Sequence, residues 1–169
     1  RDSGELKTAI KLLTDRLSKF TKNAEFLSLL AHCYIIDDDT EQASEYLKKA
    51  KEVDPNLSSV GWNTARLFLK KKNIASALAV ASNTNNRFPD DLEGMAVLAS
   101  CLRANNEIEK SLLYLNKVIE LDANYAEAFI NRGIIKNLQK DKPGALSDLE
   151  KAFNLKPHIK QIWDLIISL

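Results

Sequence analysis

The sequence has little glycine, proline or cysteine. Its 169 residues include five Gly, four Pro and two Cys. Since glycine and proline mark tight turns, their scarcity favours long regular elements, and helices in particular. The cysteines, Cys33 and Cys101, form no metal-binding or redox motif and favour a reducing compartment.

Strong net charge and long apolar runs are also missing. Lys and Arg total 24 against 23 for Asp and Glu, so no net field attracts nucleic acid or an anionic membrane. No apolar run approaches the roughly 18 to 20 residues that cross a bilayer. With 45% hydrophobic and 28% charged residues, the composition indicates a soluble, folded chain. No targeting segment is visible, so a cytoplasmic location is expected, without nucleic acid partners or membrane insertion.

What the sequence does contain is a repeat. Small residues recur at steps of 34, where Gly133 aligns with Ala99, Ala65 and Ala31, and Ala145 aligns with Ser111, Ala77, Ala43 and Ala9. Pro157 aligns with Ala123, Pro89 and Pro55. Agreement at several positions sets a period of 34 residues.

Each repeat contains two amphipathic segments. In the unit that begins at Ala24, "AEFLSLLAHCYII" and "EQASEYLKKAKEV" both have apolar residues at helical spacing, and Pro55 follows the second. Two helices joined by a short polar turn form a hairpin, which buries its apolar face only by stacking on neighbours. The small residues Gly133 and Ala145 are predicted to lie where the two helix axes cross.

This pattern resembles the tetratricopeptide repeat (TPR). The residues that carry the resemblance in the first complete unit are Leu27, Leu30, Ala31, Tyr34, Ala43, Leu47, Ala50 and Pro55. The resemblance implies an all-α fold, a right-handed superhelix of 34-residue hairpins. The fourth unit departs from the pattern, with Arg132 and Lys136 where Leu and an aromatic residue are usual. The second unit has Ala81 and Thr84 where others have Leu and Ala or Val, so less apolar area should be buried there.

The repeat divides the chain into a single TPR array. Complete units are predicted at 24–57, 58–91, 92–125 and 126–159. Residues 5–23 match only the second helix of an upstream unit, and 160–169 match a first helix that caps the array or opens another unit. We therefore expect a segment of a longer protein.

In proteins that this chain resembles, the first helices line a concave groove that holds a peptide or a partner segment. The predicted groove residues are Trp62, Asn63, Arg66, Ser100, Asn131, His32 and Arg103. Trp62 and Arg66 are four residues apart and belong to types favoured at binding hot spots. An alternative for Trp62 remains open, namely that it fills the aromatic position vacated by Gly61 and lies in the core.

Asn63 and Asn131 occupy the same repeat position and resemble part of an asparagine ladder, which Leu29 and Val97 interrupt. The carboxylate clamp of chaperone-binding TPR domains is not matched, because only its middle asparagine, Asn63, is present. No residue group has the spacing of a catalytic, metal-binding or cofactor site.

The sequence thus predicts a non-enzymatic scaffold that binds a protein or peptide in its groove. One alternative is the recognition arm of a larger enzyme of glycosyltransferase or sulfotransferase type, which flanking sequence would decide. Another is self-assembly through exposed end helices, with Leu6, Ile10, Leu13, Leu165 and Ile166 as the contact residues.

Overall fold

The computed structural model describes residues 2–157 and 159–169. Within these ranges the chain forms ten α-helices, a short 3-10 helix at Leu17–Lys19 and no strand. The α-helices are α1 (Asp2–Arg16), α2 (Ala24–Ile36), α3 (Thr40–Val53), α4 (Ser58–Lys70), α5 (Ile74–Arg87), α6 (Leu92–Ala104), α7 (Ile108–Leu121), α8 (Ala126–Leu138), α9 (Lys142–Leu155) and α10 (Lys160–Ile167). The predicted all-α fold is confirmed.

From α2 onwards the helices recur with the period of the sequence. The first helices begin at residues 24, 58, 92, 126 and 160, and the second helices at 40, 74, 108 and 142. Every step is therefore 34 residues. Each first helix from α2 to α8 packs against the second helix that follows it, so the recurring element is an antiparallel hairpin.

The turn inside each hairpin has the same backbone geometry. One residue per turn has a positive φ between 57° and 67°, and these residues are Asp38, Lys72, Asn106 and Lys140. The next residue caps the second helix in three hairpins, where a side-chain oxygen of Asp39, Asn73 or Asp141 accepts a backbone N–H three residues on. One tight turn thus ends the first helix and starts the second.

Small residues allow the two helices of a hairpin to approach closely, as predicted. A Cβ atom added at Gly133 would lie 3.0 Å from Leu149 Cγ and 3.3 Å from the Ala145 carbonyl oxygen. Ala145 itself is fully buried. A larger residue at 133 would force α8 and α9 apart, which explains the recurrence of Gly or Ala at this position.

The chain divides into two compact units, which we call unit 1, ending at Pro89, and unit 2, beginning at Asp90. Unit 1 contains α1–α5, and unit 2 contains α6–α10. The main core cluster of unit 1 is formed by side chains of α2, α3 and α4, with Leu27, Leu30 and Leu47 among its members. In unit 2, one cluster surrounds Met95 and Leu115, and another joins Phe129 to Ile162 of α10.

Candidate functional site

The first helices of unit 1, α2 and α4, pack against each other through a chain of polar contacts. Asn63 Nδ2 donates to Ser28 Oγ at 3.0 Å and to the Ser28 carbonyl oxygen at 3.2 Å. Ser59 Oγ donates to Ser28 Oγ at 3.0 Å, and Arg66 Nη1 donates to Asn63 Oδ1 at 2.9 Å. Asn63 is only 4% exposed, so its amide connects two helices and orients Arg66. In this conformation the amide is not presented to a peptide.

Trp62 lies in the interior, with none of its surface exposed. The sequence left two alternatives for this residue, an exposed groove position or the aromatic position vacated by Gly61. Its burial favours a core position, as in the second alternative. A buried indole contributes to stability through its large apolar area and offers no surface to a partner unless the helix moves.

One side of α2 exposes two aliphatic side chains. Leu29 and Ile36 are 50% and 54% exposed, and their seven-residue spacing places them on the same side of the helix. His32, half-buried, lies between them. By the 34-residue period these three residues are equivalent to Asn63, Arg66 and Lys70 of α4. We call the surface formed by Leu29, His32, Ile36, Arg66 and Lys70 the α2–α4 face.

A surface ion pair borders the α2–α4 face. Lys70 Nζ lies 3.1 Å from Asp38 Oδ1, and both side chains are largely exposed. An exposed pair of this kind adds little stability, on the order of 0 to 1 kcal/mol. The face therefore combines an aliphatic strip on α2 with cationic side chains on α4.

The candidate residues of unit 2 have different surroundings. Ser100 Oγ donates to the Ala96 carbonyl oxygen of its own helix at 3.1 Å. Arg103 is half-buried, and burial lowers the pKa of its guanidinium from the ordinary value. Among the described residues its Nε has no hydrogen-bond partner. Asn131 on α8 is half-buried. These side chains are partly accessible. Among the described residues, Val97, equivalent to Leu29, is buried, and Leu138, equivalent to Ile36, is 65% exposed but has Asn131 at the position of Leu29, so the aliphatic pair of α2 is not repeated.

The irregular basic residues of the fourth hairpin hold a buried carboxylate. Asp148 on α9, 4% exposed, accepts from Arg132 Nε at 2.9 Å and Nη2 at 2.7 Å, and Lys136 Nζ lies 2.8 Å from it. Arg132 Nη1 also donates to Asn116 Oδ1 on α7 at 2.7 Å, and its guanidinium lies over the Phe129 ring. The network therefore joins three helices of unit 2.

Sequence reasoning noted Arg132 and Lys136 but missed Asp148. In the first complete hairpin the positions equivalent to Lys136 and Asp148 are Tyr34 and Tyr46, whose rings stack at 5.6 Å. An aromatic pair in one hairpin is thus replaced by an ion pair in another. The signal was present, because an acidic residue appears at an otherwise apolar repeat position in the same unit as the two irregular bases.

Within the described ranges, no group of three or more His, Cys, Asp or Glu side chains could hold a metal ion. No described helix is both long and apolar enough to cross a bilayer. The predicted end-helix contacts (Leu6, Ile10, Leu13, Leu165 and Ile166) are half-buried, whereas their neighbours Leu12, Trp163 and Ile167 are exposed.

The hairpin geometry, the small crossing residues and the 34-residue period agree with sequence models of one repeat family. Two models described as tetratricopeptide repeat match residues 1–63 and residues 92–125. The chain belongs to the tetratricopeptide repeat family. Comparison with curated protein sequences gave no match.

Solved TPR structures share the fold. A TPR protein from Parabacteroides merdae superposes with a TM-score of 0.83 at 20% identity, over 98% of this chain and 64% of that one. A thermophilic TPR protein from Thermus thermophilus superposes with a TM-score of 0.82 at 16% identity, over 99% of this chain and 91% of that one. YrrB, a TPR protein with an unusual peptide-binding site, superposes with a TM-score of 0.60 at 19% identity, over 96% of this chain and 84% of that one.

This chain thus spans less than two thirds of the Parabacteroides protein. At these identities the comparisons with solved structures establish the TPR fold alone. As a family, TPR proteins are in general non-enzymatic scaffolds for protein–protein interaction.

Proposed function

We propose that this TPR chain is a scaffold that binds a segment of a protein partner on the α2–α4 face of unit 1. The observation that carries the proposal is the aliphatic strip formed by Leu29 and Ile36, which are 50% and 54% exposed. Two large aliphatic side chains on one side of a helix, bordered by polar groups, are typical of a surface that a partner covers.

Arg66 extends the α2–α4 face with a cation. Its hydrogen bond to the buried Asn63 fixes the position of the guanidinium, which lowers the entropy lost when a partner binds next to it. The proposed partner segment therefore buries apolar side chains against Leu29 and Ile36 and places polar groups near Arg66. Trp62 and Asn63 support this face from the interior, and Ser100, Arg103 and Asn131 remain candidates for contacts in unit 2.

A peptide library selected against the native protein tests the proposal. Selected peptides should lose at least tenfold in affinity for L29D/I36D and keep it for L121D, a matched change of an exposed leucine on α7, which is 59% exposed. Equal affinity for L29D/I36D and the native protein, a loss confined to L121D, or failure to select any peptide would overturn the proposal. Circular dichroism of each variant checks that the helices remain formed.

A second candidate, self-association, is favoured by the exposed side of α10. Trp163 and Ile167 are four residues apart and are 48% and 80% exposed. Sedimentation velocity over a range of concentrations should show an oligomer for the native protein and for the control L138E. The variant W163E/I167E should remain monomeric. A monomer at every concentration excludes this candidate.

A further inference from the structure

Unit 1 has an open cleft between α3, α4 and α5. The cleft has a volume of about 310 Å³ and is lined by side chains of these helices and of the α3–α4 turn. Among its lining residues, the buried Thr84 forms the floor next to Gly61, and the exposed Lys51 and Arg87 form the rim. None of these residues belongs to the α2–α4 face. The cleft is at the small end of ligand sites, which typically range from roughly 300 to 1,000 Å³.

The cleft arises where one hairpin lacks a large side chain that the others have. Gly61 is equivalent to Leu27, Met95 and Phe129, all of them buried. The facing position on the second helix is Thr84, equivalent to Ala50, Val118 and Ala152. Thr84 is larger than Ala50 and Ala152 but no larger than Val118, so it offsets the large side chain missing at position 61 only in part. The remaining space is open at the surface.

Gly61 and Thr84 are in direct contact at the base of the cleft. A Cβ atom at position 61 would lie 2.3 Å from Thr84 Oγ1 and 2.7 Å from Thr84 Cγ2. Thr84 therefore fills the volume next to the α4 backbone, and the volume farther out stays empty. The cleft is set largely by this helix packing, and Pro55 and Leu57 of the α3–α4 turn complete its lining.

The walls of the cleft suit an apolar group. Val60 and Val80 contribute aliphatic surface. The two wall hydroxyls are directed at their own helices, since Thr84 Oγ1 donates to the Val80 carbonyl oxygen at 2.8 Å and Thr64 Oγ1 donates to the Val60 carbonyl oxygen at 2.7 Å. Because each hydroxyl proton already has an acceptor, an apolar occupant leaves neither hydroxyl unsatisfied, and the amide of Asn83, also in the lining, is exposed.

The rim of the cleft is basic. Lys51 and Arg87 are its charged residues, and no Asp or Glu is among the described lining residues. Arg87 Nη2 donates to Asn56 Oδ1 at 2.7 Å, and its guanidinium lies 5.3 Å from the centre of the Phe88 ring. These contacts hold the cation beside the opening, where it complements a carboxylate.

We propose that the cleft is a second docking site, which receives one large apolar side chain from an acidic segment of a partner protein. The apolar side chain occupies the space that Leu27 or Phe129 fills in the other hairpins. Carboxylates flanking it in the partner lie near Lys51 and Arg87. No residue that lines the cleft belongs to the α2–α4 face, so a partner can occupy the cleft while that face binds another segment.

The probe is the pentapeptide Asp-Glu-Phe-Asp-Glu, titrated into the 169-residue chain and followed by amide chemical shifts in NMR. We expect saturable shifts at Gly61, Thr84 and Val80. Two control peptides should each bind at least fivefold more weakly than the probe. One has Ala in place of Phe, and the other has Lys in place of every Asp and Glu.

The decisive variant is G61L/T84A, which recreates the Leu27 and Ala50 arrangement of the first hairpin and fills the cleft. It should bind the Phe peptide at least tenfold more weakly than the native chain. K51E/R87E, at two exposed positions, provides a second test should the filled variant fold poorly, and it should weaken binding at least fivefold. K48E, on the exposed side of α3, is its matched control and should bind as the native chain does.

The proposal is overturned if no saturable shifts appear at the cleft, or if G61L/T84A binds as tightly as the native chain. Equal binding of the Phe and Lys-substituted peptides would overturn the acidic preference. None of these variants alters Leu29 or Ile36. A negative result here therefore leaves the proposed binding at the α2–α4 face standing, and a negative result there leaves this proposal standing.

Discussion

Arg132 donates two hydrogen bonds to Asp148, of 2.9 Å from Nε and 2.7 Å from Nη2, across the hairpin of α8 and α9. The carboxylate is 4% exposed and also lies within 2.8 Å of Lys136 Nζ. Two residues that break the family pattern are thus explained by a third on the facing helix.

Removal of Arg132 should destabilise unit 2. In R132A the buried carboxylate keeps only Lys136, and hydrogen bonds to a charged group contribute about 1.5–3 kcal/mol, so a loss of about 1–3 kcal/mol is expected. Urea unfolding followed by circular dichroism measures it. K151A, an exposed basic residue of α9, is the control and should change stability by less than about 0.5 kcal/mol. Equal stability of R132A and K151A would contradict the role of the network.

The same network should make stability depend on pH in the acid range. Burial disfavours charge on Asp148, but hydrogen bonds and charge from Arg132 and Lys136 outweigh it, so the carboxyl pKa is below its ordinary value. The carboxylate's contribution is therefore fully present above the unfolded pKa, about 3.9, and is lost as pH falls through the lower folded value.

Native protein should accordingly have a higher Tm than D148N at pH 7, and the difference should shrink below about pH 4. Thermal melts at pH 7, 5, 4 and 3 measure the difference. S147A changes a neighbouring exposed residue that does not titrate. Its difference in Tm from the native protein should therefore be the same at every pH. A D148N difference that is also constant with pH would show that Asp148 is not the titrating group.

Glycine at a hairpin turn should stabilise the protein. Lys72 has a φ of 57°, a conformation that costs a residue with a Cβ about 1–2 kcal/mol and glycine almost nothing. After the larger entropy of glycine in the unfolded chain is subtracted, K72G should gain up to about 1 kcal/mol. K71G, one residue earlier at a φ of −74°, lacks this benefit and should lose stability. The prediction fails if both variants lose stability equally.

Gly61 and Thr84 should show strong coupling in a double-mutant cycle. G61A places a Cβ 2.3 Å from Thr84 Oγ1 and should cost about 1–3 kcal/mol by overpacking. In a T84A background the same change should be neutral or stabilising, because the clash is gone and alanine favours helix by about 1 kcal/mol. Additive effects of the two substitutions would rule out the contact.

Helix α5 should open more readily than α7. It packs Ala81 and Thr84 where α7 has Leu115 and Val118, it borders the cleft, and among the described residues Asn85 Oδ1 is buried without a hydrogen-bond partner. Native-state hydrogen exchange should therefore show lower protection in residues 74–87 than in 108–121. Uniform protection across both helices would contradict this expectation.

The sequence was sufficient for the all-α fold and the TPR family, because a 34-residue period constrains every hairpin in the same way. It also indicated the close approach at Gly133. The sequence was less informative about side-chain partners. Asn63 was expected to face a groove, but its hydrogen-bond partner Ser28 is one repeat earlier, and no local spacing indicates such a pair. Trp62 illustrates a different limit, since the sequence left its position open between groove and core and the structure shows it buried.

The contact between Gly61 and Thr84 also restricts how this sequence can diverge. A Cβ at position 61 would lie 2.3 Å from Thr84 Oγ1, so a larger residue at 61 requires Thr84 to shift or to be replaced. The other hairpins pair a large residue with Ala or Val (Leu27 with Ala50, Met95 with Val118, Phe129 with Ala152), and we expect descendants of this chain to have either Gly with Thr or one of these combinations. Two residues on different helices would then be inherited as one unit, and the cleft would appear or vanish with them.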